Sequence, residues 1–205
     1  MKSMLTTVEK ISPATQAVLI HSLNGGVRQP VTPKELAKQL GYTAMTMSRA
    51  LDEIEGNQLG TIKREGHERL LLPEINRVLW TRVQPFLKNP VRDVVRIREE
   101  NLPRNLRLAA GTTALAQWSM LNPPKEPVYA MGRQDWKKLS SKVETIPVED
   151  DGTCQVQLWR YDPRLFAQNQ KGSVDPFSLY LSLRQNGDER IESALVEMME
   201  KIEWL

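Results

Sequence analysis

Glu35-Leu36-Ala37-Lys38-Gln39-Leu40-Gly41-Tyr42-Thr43-Ala44-Met45-Thr46-Met47-Ser48-Arg49-Ala50-Leu51 carries two helical apolar patterns around one glycine. Leu36, Ala37 and Leu40 form the first pattern; Met47, Leu51 and Ile54, at i, i+4 and i+7, form the second. Gly41 permits the left-handed backbone of a tight turn. Thr43 is a helix N-cap residue. Ala37 is small enough to let the two helices approach closely. Thr32-Pro33-Lys34-Glu35 supplies a capping box with proline at the first helical position. The segment therefore predicts helix, tight turn, helix, ending near Glu55-Gly56-Asn57.

Upstream, Ser12-Pro13 caps a helix expected to run to Leu23, with Ala17, Val18 and Ile20 inward and Asn24-Gly25-Gly26 as its stop. Downstream, Gly60 to Arg64 and Arg69 to Leu72 read as two short strands joined by a turn at Glu65-Gly66-His67. Pro73 is expected to open a fourth helix with Ile75, Leu79, Val83 and Phe86, which Pro85 kinks or ends. Asn89-Pro90 is the best boundary.

The order helix, helix, tight turn, helix, two-stranded ribbon is that of a winged helix-turn-helix. Over about residues 13–72 the chain resembles the helix-turn-helix of bacterial transcription regulators, of the winged-helix kind grouped with the MarR-like family. The resemblance implies binding to double-stranded DNA. With the third helix in the major groove, Thr43, Ala44, Met45 and Thr46 face base edges and Arg49 follows one turn on. Arg49 is the member of this set suited to a bidentate contact with guanine. Ala44 and Met45 suit a thymine methyl. Thr43, Thr46 and Ser48 offer hydroxyls to phosphates. Lys63, Arg64, His67 and Arg69 make the ribbon a basic fringe; His67 at its tip is either a phosphate contact or merely exposed. Winged helices also serve as protein-interaction modules, and Asp52, Glu53 and Glu55 thin the positive charge of the third helix.

The second half reads as mixed α and β. Arg92, Arg96, Arg98, Arg104 and Arg107 either widen the DNA footprint or form a solvated face paired with Asp93, Glu99 and Glu100. Gly111 to Met120 reads as a buried helix with Ala114, Leu115 and Trp118. Pro127 to Met131 reads as a strand. Val143 to Val148 and Thr153 to Tyr161 read as a hairpin turning at Glu149-Asp150-Asp151-Gly152, with Cys154, Val156 and Leu158 inward. Asp175-Pro176 caps a helix bearing Phe177, Tyr180 and Leu181. Asp188 opens a last helix whose Leu195, Met198 and Ile202 serve either as core or as a homodimer face. Trp118, Trp136, Trp159 and Tyr180 line either a ligand pocket or the core. Leu108-Ala109-Ala110-Gly111-Thr112-Thr113-Ala114-Leu115-Ala116, followed by Ser119-Met120-Leu121-Asn122-Pro123-Pro124, resembles a segment of AbiEi-type regulators. Those are winged-helix antitoxins encoded beside nucleotidyltransferase toxins. That resemblance implies a first domain that binds the operon's DNA and a second that supports repression or neutralisation, with an antitoxin or adaptor acting mainly by protein contact as the alternative function.

Charge is unevenly spread. Residues 1–90 hold 12 Lys and Arg against 8 Asp and Glu, while residues 91–205 hold 16 against 17. An anionic partner is therefore expected on the first half. Mean hydropathy is −0.45, and no apolar run approaches the roughly 20 residues of a membrane span. The first ten residues lack the apolar core of a signal peptide. One cysteine excludes a disulfide framework, and two histidines leave no His-rich metal site. Phosphate loops and GxGxxG are absent from the sequence. The expectation is a cytoplasmic α+β protein without metal or cofactor, not an enzyme. It would place a winged helix-turn-helix over 1–90 and a mixed α/β domain over 91–205 that senses, dimerises or binds a partner.

Overall fold

The computed structural model describes residues 11–169 and 172–204. The chain is mixed α+β and divides into two compact units, one ending at Lys88 and the other spanning Asn89–Glu203.

The first unit opens with α1 (Pro13–Leu23), α2 (Pro33–Leu40) and α3 (Ala44–Gly56). Their boundaries follow local chemistry. Ser12 Oγ accepts from Thr15 N, and Thr32 and Glu35 complete a reciprocal capping box. Gly41 ends α2 at φ 70°, a value that a side chain would strain. Thr43 Oγ1 then caps α3 by accepting from Thr46 N at 3.1 Å. The start of α1 is also bonded from a distance: Glu53 of α3 accepts from Ser12 N at 2.7 Å and from Thr15 Oγ1 at 2.5 Å. A carboxylate there complements the positive end of the helix dipole. Leu19, Leu36, Met47, Leu51 and Ile54 are fully buried, and α3 packs on both α1 and α2.

A hairpin follows, β1 (Ile62–Glu65) and β2 (Glu68–Leu71), antiparallel. Gly66 takes φ 59° in its two-residue turn. The turn is one residue shorter than the sequence suggests, because Glu65 still pairs with Glu68. Val31 exchanges both main-chain bonds with Leu71, fixing the hairpin's base to the segment ahead of α2. The fourth helix, α4 (Asn76–Val83), starts three residues after Pro73, so the proline is not its first residue. Ile75 lies outside it and is exposed, not core. Gln16 and Lys88 close the unit reciprocally: Gln16 Nε2 donates to Lys88 O at 2.8 Å, and Lys88 N donates to Gln16 Oε1 at 2.9 Å.

The second unit is built on a four-stranded mixed sheet. Its strands are β3 (Val91–Arg98), β4 (Leu108–Ala109), β5 (Val128–Gly132) and β6 (Thr153–Trp159), in the order β3-β6-β5-β4. β6 pairs antiparallel with β3 and parallel with β5. This corrects the expected hairpin. Residues 143–148 form no strand, and β6 takes its antiparallel partner from the arginine-bearing stretch, which is itself a strand. Val91–Arg98 shows no clean alternation: it is an edge strand in which Arg96 and Arg98 are folded back onto carboxylates while Arg92 stays exposed. The helix expected over Gly111 to Met120 is only α5 (Gly111–Leu115); Met120 is 91% exposed. α6 (Arg133–Leu139) has no counterpart in the sequence pattern. α7 (Pro176–Leu183) is capped by Asp175, and α8 (Glu189–Glu200) by Asp188.

Side-chain parity separates the two faces of this sheet. Tyr129, Met131, Cys154 and Val156 point to one cluster with Ile97, Leu102, Leu139 and Trp136, the side covered by α6. Val128 and Gln157 have the opposite parity and lie against Gly111 of α5, which in turn packs on α7 and α8. Two of the four expected aromatic residues join the cores: Trp159 is buried with its ring edge-on to Tyr161, and Trp136 packs on the α6 cluster, whereas Trp118 and Tyr180 are half-buried. Leu195 and Met198 are buried, whereas Ile202 lies beyond the end of α8 and is half-buried.

Candidate nucleic-acid interface

α3 presents two different faces. Met47, Ala50, Leu51 and Ile54 are buried and hold it in the unit. Thr43, Ala44 and Arg49 are exposed, and Met45 is 66% exposed. Met45 and Arg49 stand one turn apart on the same outward face. A methionine so exposed gains nothing from the fold around it. Thr46 and Ser48 are half-buried flanks. The hydroxyls of Thr43 and Thr46 are 2.8 Å apart and bonded to each other, so the cap itself orders them. Among the described residues, Arg49 holds no ion pair.

The acidic second half of α3 does not face open solvent alone. Asp52 takes the guanidinium of Arg69, whose Nη2 also donates to Ser48 O at 3.0 Å. Glu55 takes Arg64 at 3.7 Å. This resolves a local conflict in the hairpin. Its register sets Arg64 opposite Arg69 and Glu65 opposite Glu68, like charges that repel when directly paired across strands. Both arginines are drawn instead to α3, and Lys63 Nζ reaches Glu65 at 2.6 Å. The hairpin is thereby strapped to the acidic end of α3, while the first turn of that helix carries no carboxylate.

The candidate residues thus fall into groups. Thr43, Ala44, Met45 and Arg49 are exposed at the start of α3, with Thr46 and Ser48 half-buried beside them. Lys63, Arg64 and His67 are exposed on the hairpin. Arg69 is different: its side chain is mostly buried and tied to α3, so it positions the hairpin and does not project from it. Two lysines outside the expected set, Lys34 and Lys38, are exposed one turn apart on α2. Their i, i+4 spacing on that helix's polar face was the available signal. His21 also lies outside that set. Its ring covers Gly26, and Nε2 lies 3.0 Å from Gln39 Oε1, joining α1 to α2. Burial lowers its pKa against the opposing effect of that hydrogen bond.

Of the five arginines expected either to widen a footprint or to pair locally, three are paired, while Arg92 and Arg104 are exposed and, among the described residues, hold no ion pair. Arg96 binds Glu126, Arg98 binds Asp150 at 2.7 Å, and Arg107 binds Glu99 at 3.0 Å. Cys154 is fully buried, and desolvation pushes its thiol up to about 12, the opposite of an activated nucleophile. Among the described residues there is no cluster of His, Cys, Asp and Glu able to hold a metal, and no helix long and apolar enough to cross a membrane.

No family model, curated protein or solved structure matches this chain.

Proposed function

We propose that this protein is a DNA-binding transcription regulator that reads a specific duplex site with the first half of α3. In this reading the first unit is a winged helix-turn-helix and the β1–β2 hairpin is its wing. The observation that carries the proposal is the division of α3. Met45 and Arg49 face solvent on a turn free of carboxylates, and the acidic half is engaged by the wing's own arginines. Arg49 supplies a guanidinium for guanine O6 and N7, and Met45 and Ala44 supply apolar surface for a thymine methyl. Lys63, Arg64 and His67 on the wing, with Lys34 and Lys38 on α2, add phosphate contacts that set register and affinity. A titration by fluorescence anisotropy tests this, using duplex from upstream of the protein's own gene, random duplex and a salt series. The expected result is preference for the upstream site, reduced by about 1–3 kcal/mol in Arg49→Ala. Equal affinity for both duplexes, unchanged by Arg49→Ala, overturns it.

A second reading, an antitoxin or adaptor working through protein contact, draws support from one feature of the second unit. A groove of about 780 Å³ runs between residues 120–124 and α8, with Met120 exposed at its rim. Co-purification of a nucleotidyltransferase with the wild type, and its absence with Met120→Glu, would favour this reading.

A further inference from the structure

The second unit is nearly neutral in sum, yet its charge is sorted. Residues 133–142, Arg-Gln-Asp-Trp-Lys-Lys-Leu-Ser-Ser-Lys, hold four cations against one carboxylate. They form α6 and the turn after it, where Ser140 N donates to Trp136 O and Lys142 N to Leu139 O, each at 2.8 Å. Leu139 is buried in the core cluster and Trp136 packs on it, so the element is fixed by its inner side. Its outer side presents Arg133, Lys137, Lys138 and Lys142, all exposed. Among the described residues none of these four holds an ion pair. Elsewhere in the same unit Arg96, Arg98, Arg107 and Arg164 each hold a carboxylate, and the exposed Arg92, Arg104 and Arg160, which hold none among the described residues, are scattered over separate segments and not gathered on one element. The one acid of the segment, Asp135, is turned away: it takes Arg164 Nη2 at 2.6 Å and its side chain is 15% exposed.

We propose that the outer face of α6 binds the phosphate backbone of duplex DNA, without regard to sequence. Four uncompensated cations on a rigid support are the feature that releases counterions from a polyanion. The composition argues against an acidic protein as occupant. None of the large exposed apolar side chains lies on this face, whereas protein interfaces draw on aromatic residues and methionine and are depleted in lysine. The inference concerns the second unit alone and does not depend on α3 reading a site.

The test uses the full chain and a random-sequence duplex. Lys137→Gln, Lys138→Gln and Lys142→Gln are introduced together; all three side chains are exposed, and unchanged thermal unfolding verifies the fold. Affinity is expected to drop about tenfold, and the plot of log affinity against log salt to flatten by about 2.7, roughly 0.9 for each phosphate that is no longer neutralised. A second chain carries Arg49→Ala, Lys63→Gln and Arg64→Gln. It should keep salt-dependent binding to random duplex and lose it when the α6 changes are added. An unchanged salt slope in the triple lysine variant overturns the α6 proposal while leaving site reading by α3 intact. Preference for the upstream site absent in the wild type, with α6-dependent binding present, overturns the α3 reading and leaves this one. α6-dependent binding to single-stranded RNA but not to duplex DNA overturns the assignment to DNA.

Discussion

Arg69 in β2 donates through Nη2 to the main-chain carbonyl of Ser48 in α3, at 3.0 Å. The same guanidinium reaches Asp52 one turn further along the helix. One side chain therefore sets the angle between the hairpin and the helix beside which it would meet DNA. Arg69→Ala should cost about 1–2 kcal/mol of stability, the scale of hydrogen bonds to a charged group whose partner is partly solvated. It should also weaken DNA binding beyond the removal of one charge. Arg69→Lys retains the charge but not the fork that spans both acceptors. The lysine variant should therefore bind DNA like the alanine variant, measured by anisotropy at fixed salt. Wild-type affinity in Arg69→Lys would reduce Arg69 to a simple cation.

If the hairpin meets DNA as proposed, Glu55 and Glu65 would compete with phosphates for its cations. Glu55 holds Arg64 at 3.7 Å, and Glu65 holds Lys63 at 2.6 Å. These pairs are solvent-exposed, and such pairs contribute about 0–1 kcal/mol to stability. The double change Glu55→Gln with Glu65→Gln should leave urea unfolding almost unmoved. Affinity for duplex DNA should rise several-fold, because Lys63 and Arg64 no longer exchange one carboxylate for a phosphate. Anisotropy against upstream and random duplex reads this directly. A decrease in affinity would indicate that the pairs instead hold the hairpin in the geometry that the proposed binding needs.

Glu126 is buried beneath the sheet's α5 face and accepts from three side chains. Arg96 Nη2 donates at 3.1 Å, Thr153 Oγ1 at 2.7 Å and Gln155 Nε2 at 2.8 Å. Burial pushes its pKa up, but the bonds from Arg96, Thr153 and Gln155 outweigh that and hold it below the ordinary 4.5. A carboxylate whose folded pKa is depressed stabilises the fold fully above its unfolded pKa, and the contribution fades as pH falls through the folded one. Urea midpoints of the second unit should therefore decline on acidification below about pH 4.5. Glu126→Gln sets an amide donor against these donors. It should cost about 3 kcal/mol near neutrality and flatten the acid limb. An unchanged acid limb would place the pH dependence elsewhere.

Gly111 opens α5 at φ 50°, and a Cβ there would sit 3.0 Å from Val128 Cγ1 and 3.3 Å from Gln157 Nε2. Both the backbone and the space select glycine. Gly111→Ala should destabilise the second unit by about 2 kcal/mol, through left-handed strain and crowding against β5. Thermal unfolding measures it. The added Val128→Ala should recover part of the crowding cost but none of the strain.

The elements of the first unit were legible because their signals are local. Ser12, the Thr32–Glu35 box, Gly41 and Thr43 each act within four residues, and a cap works the same way whatever the rest of the chain does. The outward set Thr43 to Arg49 followed from the inward set Met47, Leu51 and Ile54, since one helical period determines both. What the sequence could not order were pairings between distant residues. Thr153–Trp159 was recognisable as a strand, but its neighbours β3 and β5 lie far off along the chain, and nothing local distinguishes them from residues 143–148. The arginines of β3 read as a charged stretch because Glu126 and Asp150, which neutralise two of them, stand about thirty and fifty residues away. α6 left no mark because only Trp136 and Leu139 of its seven residues turn inward, too few for a periodic signal. The sequence by itself determined where the chain of the first unit turns, caps and buries its apolar stripe. Only the tertiary structure decided which charges are left for a partner, because a cation's freedom depends on whether a carboxylate far along the chain folds within reach of it.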